Sequence, residues 1–268
     1  MKIIQTPYGA IAVHESVGRG PAVVLIHGNS SSSRGFSRQR EGPVGERLRL
    51  IAVDLPGHGA SCDAEDSKVY SLPGYARVIR AVLDALGLSR PRIVGWSMGG
   101  HILLEMAPDL LEARGFLIFG TPPVARPPIG GEFLAGLASE AVYAEHLERD
   151  QATAFVASLF ARGFGDIPQF FVEDVLRTDG RARRLLGASL MSGLYRDEVA
   201  VVRDLKAPLA VLHGNDEQRI NEAYITSLAM PTLWRGAIQK IPGAGHAPQW
   251  ETPETFDALL EAFVEETE

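Results

Sequence analysis

The run Gly95-Trp96-Ser97-Met98-Gly99 restricts this chain more than any other feature. It follows Pro91-Arg92-Ile93-Val94, a short apolar stretch of strand character, and precedes Gly100-His101-Ile102-Leu103-Leu104-Glu105-Met106, which reads as a helix. A backbone passing from strand to helix in so few residues must turn sharply at the serine. Glycines on both sides permit the turn because they carry no Cβ to collide as the chain doubles back. G-x-S-x-G in this setting lifts a serine hydroxyl above the end of a sheet, with a helix N-terminus beneath it. The motif alone occurs by chance, so the argument rests on its flanks and on three further motifs.

The flanks have the rhythm of an α/β domain. Residues 11–15, 22–26, 48–53, 115–120 and 208–213 read as strands, and 22–26 is apolar throughout, as expected of a strand covered on both faces. A last strand is expected near 237–241, and helices over 75–86 and 253–265, the first with Gly87 as C-cap. Strands alternating with helices imply parallel βαβ units and a doubly wound, mostly parallel sheet. Thr121-Pro122-Pro123-Val124-Ala125-Arg126-Pro127-Pro128 interrupts that rhythm, since prolines continue neither a helix nor a central strand. Helical patterns over 140–149, 151–161, 169–177 and 182–191 follow, with no convincing central strand. The expected organisation is an α/β core over 1–121 and 203–268, interrupted by a helical cap over 122–202.

A serine hydroxyl becomes a nucleophile only when a base takes its proton and a further group fixes that base. The base candidate is His246, in the small-residue loop Gly243-Ala244-Gly245-His246-Ala247-Pro248 between the last strand and last helix. Of the other histidines, His27, His58 and His101 lie beside glycines and read as structural. His14 and His146 read as surface residues, and His213 as a packed strand end. The acid is expected in His213-Gly214-Asn215-Asp216-Glu217-Gln218, where Asp216 and Glu217 compete. A bland alternative has them capping a helix that starts near Asn221. The order serine, acid, histidine is the one this strand–turn–helix setting requires. For the oxyanion, the donors expected are the backbone N–H of Met98, at the start of the elbow helix, and that of Asn29, in the His27-Gly28-Asn29-Ser30-Ser31-Ser32-Ser33 loop after a core strand. Gly28, Trp96 and the Asn29 side chain are candidates to touch substrate. Asp54-Leu55-Pro56-Gly57-His58-Gly59-Ala60-Ser61 reads as a structural loop.

Composition excludes other classes. A formal charge of −7 argues against nucleic-acid binding, and no apolar run reaches the 18 residues of a membrane span. Met1-Lys2-Ile3-Ile4-Gln5-Thr6-Pro7 has too short an apolar run for a secretory signal. Cys62 is the sole cysteine, so no internal disulfide forms, and a reducing cytoplasm is expected. Nothing in the sequence sets the oligomeric state.

Taken together, these motifs resemble those of α/β-hydrolases over the whole length. The acid position in such families is usually the third residue after the loop glycine, which implies Glu217, with Asp216 stabilising the loop. Four stretches resemble the serine-dependent N-acyl-homoserine lactonases of the AidH type: His27-Gly28-Asn29-Ser30-Ser31-Ser32, Gly95-Trp96-Ser97-Met98-Gly99-Gly100-His101-Ile102, Gly120-Thr121-Pro122-Pro123-Val124-Ala125-Arg126 and Thr178-Asp179-Gly180-Arg181-Ala182-Arg183-Arg184. That resemblance implies metal-free, cofactor-free opening of a homoserine lactone by Ser97, His246 and Glu217, with Asn29 near the oxyanion. The H-x-H-x-D-H run of metal-dependent lactonases is absent from the sequence. Dehalogenases and epoxide hydrolases of this fold need aspartate where Ser97 stands. A general carboxylesterase and a non-catalytic small-molecule receptor are the alternatives.

Overall fold

Side-chain alternation along the central strands decides the architecture. In Ala22–Ile26, Val23 and Leu25 face one core and Val24 and Ile26 the other, and none of the four is exposed. A strand buried on both faces needs helices on both sides. The computed structural model describes residues 1–134 and 140–268, and shows such a sheet. Its strands are β1 (Lys2–Thr6), β2 (Gly9–Glu15), β3 (Ala22–Ile26), β4 (Arg49–Val53), β5 (Arg92–Trp96), β6 (Gly115–Phe119), β7 (Leu209–Gly214) and β8 (Gln239–Ile241). They lie in the order β1-β2-β4-β3-β5-β6-β7-β8. The pairs β1·β2 and β2·β4 are antiparallel and the rest parallel, with Ile26 opposite Gly95 and Trp96 opposite Phe119.

On one face, helices Leu72–Ala85 and Met98–Met106 bury Tyr75, Val78, Ile79, Val82, Ile102 and Leu103 against Val24, Ile26, Ile93 and Ile118. On the other, Phe256, Leu260 and Phe263 of helix Pro253–Glu266 pack against Val94, Leu117 and Phe119. Each such fully buried side chain contributes about 1.5–3 kcal/mol. Helix Leu72–Ala85 starts three residues before the expected position 75, because the Ser71 hydroxyl accepts the Gly74 N–H at 3.1 Å and Pro73 sits in the first turn. Strand β1 had no sequence expectation: it is a mostly exposed edge strand without clean alternation.

Between β6 and β7 the described residues form helices Glu140–Tyr143, Arg149–Ala157, Gln169–Arg177, Gly180–Met191 and Glu198–Asp204. The helix expected over 140–149 breaks after Tyr143, because Glu148 is an N-cap: its N–H donates to Gln151 Oε1 at 2.9 Å in a reciprocal capping box. The expected boundary at 202 falls inside helix Glu198–Asp204, which Asp197 caps through the Ala200 N–H. Phe155, Val156, Phe160, Phe171 and Val175 of this insertion join the core that contains Trp96 and Phe119.

Candidate active site

Ser97 stands between β5 and helix Met98–Met106 with φ 53° and ψ −118°, a conformation costly for a residue with a Cβ. Its surroundings impose it. The Ser97 N–H donates to Phe119 O at 2.9 Å, and Ser97 O accepts from Gly100 N–H and from Thr121 Oγ1, each at 2.8 Å. The flanking glycines are required by contact rather than flexibility. A Cβ on Gly95 would lie 2.5 Å from Gly100 Cα, and one on Gly99 2.2 Å from Ile26 O. Thr121 was not among the sequence candidates, although it follows Gly120 directly at the end of β6 and so belongs with the elbow.

His246 and the side chain of Glu217 are each 2% exposed. The His246 Nδ1–H donates to Glu217 Oε2 at 2.7 Å, and Glu217 Oε1 accepts the Arg219 N–H at 2.8 Å. Burial alone would push the Glu217 carboxyl up, but the His246 ring and these hydrogen bonds outweigh it and hold it below the ordinary glutamate range. Asp216 is exposed, and its backbone N–H is held by Ala244 O at 2.9 Å. Of the two competing carboxylates, the one bonded to His246 is therefore that of Glu217. The ring lies over Gly120, whose Cβ position would be 2.7 Å from His246 Cε1, beside the Thr121 that holds Ser97. His246 Nε2 is buried without a hydrogen-bond partner among the described residues, so it is not bonded to the Ser97 hydroxyl in this structure.

Gly28 approaches the serine from β3: a Cβ there would sit 3.3 Å from Ser97 Cβ. Met98 opens the helix directly after Ser97, and Asn29 follows Gly28 in the loop that leaves β3. The Asn29 Nδ2 donates to Val142 O at 2.7 Å, which ties the loop to the inserted helices and uses one of its two hydrogens. Trp96 packs rather than opening onto a pocket. Its ring is 1% exposed, stacks on Phe119, and donates its Nε1–H to His246 O at 2.7 Å. It thereby fixes the backbone that carries His246.

The serine-rich loop is no linker. Ser30, Ser31, Ser32 and Ser33 are buried; Ser32 Oγ donates to Asp174 Oδ2 at 2.6 Å, and the Ser33 N–H to Asp54 Oδ1 at 2.7 Å. Asp54 also accepts the Ala60 N–H at 2.9 Å, so the 54–61 loop holds the 29–33 loop, in line with its structural reading. The remaining histidines are accounted for within the fold. His27 Nε2 accepts the Leu55 N–H at 3.0 Å, and His101 Nδ1 bonds both oxygens of the buried Glu198 at 2.9 Å. His14, expected at the surface, is partly buried with Nε2 3.4 Å from Asp54 Oδ2, because β2 lies against β4, whose C-terminal end leads into Asp54. His146 is exposed and His213 buried. Among the described residues no cluster of three or more His, Cys, Asp or Glu is arranged to hold a metal, and no helix is long and apolar enough to cross a membrane.

The geometry agrees with what the chain resembles among known proteins. It superposes on the crystal structure of N-acyl homoserine lactonase AidH complexed with N-butanoyl homoserine with a TM-score of 0.94, at 38% identity over 99% of this chain and 96% of that one. A pimeloyl-[acyl-carrier protein] methyl ester esterase of Nitrosomonas europaea is 27% identical, covering 92% of this chain and 97% of the relative. A 2-hydroxy-6-oxononadienedioate/2-hydroxy-6-oxononatrienedioate hydrolase of Paraburkholderia phymatum is 26% identical, covering 90% and 86%. The sequence profile of the alpha/beta hydrolase family matches residues 23–259. Sheet order, elbow and profile agree: the chain belongs to the alpha/beta hydrolase family.

Proposed function

We propose that this hydrolase opens the lactone ring of N-acyl-homoserine lactones by way of an acyl-enzyme on Ser97. The observation that carries the reading is the buried His246–Glu217 hydrogen bond of 2.7 Å beside a serine held at positive φ. Ser97 Oγ attacks the lactone carbonyl while its proton passes to His246 Nε2. Glu217 holds the opposite ring nitrogen and stabilises the imidazolium. The Asn29 and Met98 N–H groups receive the developing oxyanion. When the tetrahedral intermediate collapses, the ring C–O bond breaks and His246 returns the proton to the leaving oxygen, giving an ester of Ser97 with the opened chain. Water, deprotonated by His246, then attacks that ester, releases N-acyl-homoserine and restores the Ser97 hydroxyl. No step calls for a metal or cofactor. Apo enzymes commonly hold such groups out of hydrogen-bond geometry until substrate arrives.

Residues 122–202 would serve as the cap over this site, with 1–121 and 203–268 as the core, and a small ester or lactone as the partner in the cytoplasm. The likeness to the AidH lactonase supports the lactone substrate, because at a TM-score of 0.94 and 38% identity it exceeds the likeness to an aryl esterase structure, at 0.82 and 22%. The esterase relatives favour a second reading, a carboxylesterase acting on other esters. To decide, acid release is titrated in the presence of a chelator with butanoyl and longer acyl-homoserine lactones, and kcat/KM is compared with a panel of p-nitrophenyl esters. Lactone hydrolysis that exceeds ester hydrolysis supports the first reading; ester turnover without acid release from any lactone supports the second. Absence of any turnover, with no labelling by a fluorophosphonate, would leave only a binding protein.

A further inference from the structure

Glu251 accepts three backbone N–H groups on its two oxygens. Gly245 and Ala247, the neighbours of His246 on either side, donate to Oε2 at 2.9 and 3.2 Å, and Ala161 donates to Oε1 at 2.6 Å. No described lysine, arginine or histidine pairs with it, so the carboxylate is spent entirely on backbone. Ala161 belongs to the turn that follows helix Arg149–Ala157 in the insertion, and that turn also reaches the acid loop. Gln218 Nε2 donates to Phe160 O at 2.6 Å, Arg162 Nε to Gln218 Oε1 at 3.0 Å, and Arg219 Nη1 to Ser158 Oγ at 3.0 Å. Gln218 and Arg219 directly follow Glu217. The turn itself is anchored by Phe160, unexposed and edge-on to Phe171. The contact with the histidine loop is backbone on backbone: a Cβ on Gly245 would lie 2.5 Å from Ala161 N.

One segment, 158–162, thus holds the loop of the base through Glu251 and the loop of the acid through Gln218 and Arg219. Hydrogen bonds to a carboxylate are shorter and stronger than neutral ones, so the two flanks of His246 are held more firmly than a glycine-rich loop would be by itself. We propose that Glu251 and the 158–162 turn form a positioning clamp that sets the His246 ring against Glu217 and Ser97, so that the alignment of base and acid depends on the insertion. The clamp rests on the reading of Ser97, His246 and Glu217 as the reacting groups.

The test compares Glu251→Gln and Glu251→Asp with wild type in four readouts: kcat and KM on the best substrate, the rate of Ser97 labelling by a fluorophosphonate, thermal unfolding, and the low-field proton resonance of His246 Nδ1–H. An amide presents an N–H₂ to donors and cannot accept at both positions. Glu251→Gln is therefore expected to lower kcat and labelling by about 10- to 100-fold, as for a small misplacement of reacting groups. KM stays within about twofold, the signature of a loss felt in the transition state. The low-field resonance broadens, and Glu251→Asp, which keeps both acceptors, regains most of the rate. A Glu251→Gln protein with wild-type kcat, or one whose loss of rate follows its unfolded fraction, overturns the clamp. Should that variant melt below the assay temperature, the double variant Gln218→Ala/Arg219→Ala cuts the same turn from the acid loop, and an unchanged kcat there overturns it equally. Failure of the underlying reading shows elsewhere: wild type itself would neither label nor turn over.

Discussion

The elbow and the insertion are built on different principles. Around Ser97 the geometry comes from neighbouring backbone: β5, β6 and the Gly95 and Gly99 contacts leave one path for the chain, and the bonds to Ser97 run mostly to main-chain atoms. The inserted helices instead hold to the core through buried polar side chains that reach far along the sequence. Arg183, 3% exposed, ties these helices to one another through the carbonyls of Ala144, Val175 and Glu145 and reaches the core at Ser30 Oγ, 3.4 Å away. Asp174 takes Ser32 and Arg34, and Glu198 takes His101 and the Val124 N–H. A site framed by backbone tolerates little variation at the reacting atoms, whereas one framed by side chains can be retuned residue by residue. Changes at the elbow and its partners, the 158–162 turn included, should therefore appear in kcat, and changes elsewhere in the insertion in KM and stability.

The sharpest break in that contrast is Ser97→Ala, expected to lower kcat by about 10⁴- to 10⁶-fold and to abolish fluorophosphonate labelling, both read on purified protein. If substantial ester hydrolysis survives, the elbow is not the reacting centre. Next in size, Glu217→Gln should cost about 10²- to 10⁴-fold in kcat, while Asp216→Asn stays within about twofold, since the exposed carboxylate has no contact with His246. Equal losses at the two positions would reverse the assignment of the acid. In the insertion, Arg183→Met leaves buried carbonyls without donors and should lower stability by about 2–3 kcal/mol, measured by denaturant unfolding, with KM rising more than kcat falls. A kcat effect alone would mean that the two regions are not separable in this way.

The smallest effect concerns His58, buried with its ring 5.1 Å from that of His27 and 6.2 Å from that of Tyr75. Burial, together with the neighbouring His27, pushes its pKa down from 6.5 to about 3. The folded protein therefore resists a proton that the unfolded chain accepts below about pH 6.5. The stability this contributes is complete above that pH and is lost progressively as pH falls toward about 3. His58→Gln should flatten this part of the stability-against-pH curve relative to wild type, followed by urea unfolding between these limits. An unchanged slope would move the acid sensitivity to other groups.

Much of the proposed reacting centre is legible in the sequence because each part sits in a local turn that its own residues demand. Ser97 follows from glycines flanking a strand end, and His246 from a loop of small residues. The choice between Asp216 and Glu217 was not legible from residue type, because adjacent loop residues of similar chemistry point in different directions, and only the fold brings one to His246. The partners of Asn29, Ser32 and Glu251 were hidden for another reason: their bonds span 113, 142 and 90 residues, and nothing local marks them. Glu251, just before the last helix, looks in sequence like an ordinary first-turn acid. The expected breadth of helix 140–149 failed because Glu148 and Gln151 both suit a helix interior, yet here close a capping box.

The positions of β6 and β7 have a consequence for divergence. The two strands are direct neighbours in the sheet, so the chain departs and returns through one gap. A lineage can lengthen, trim or exchange everything between them without altering a single ladder bond of the sheet. Selection on new acyl groups can then act on that cassette while the scaffold beneath stays constant.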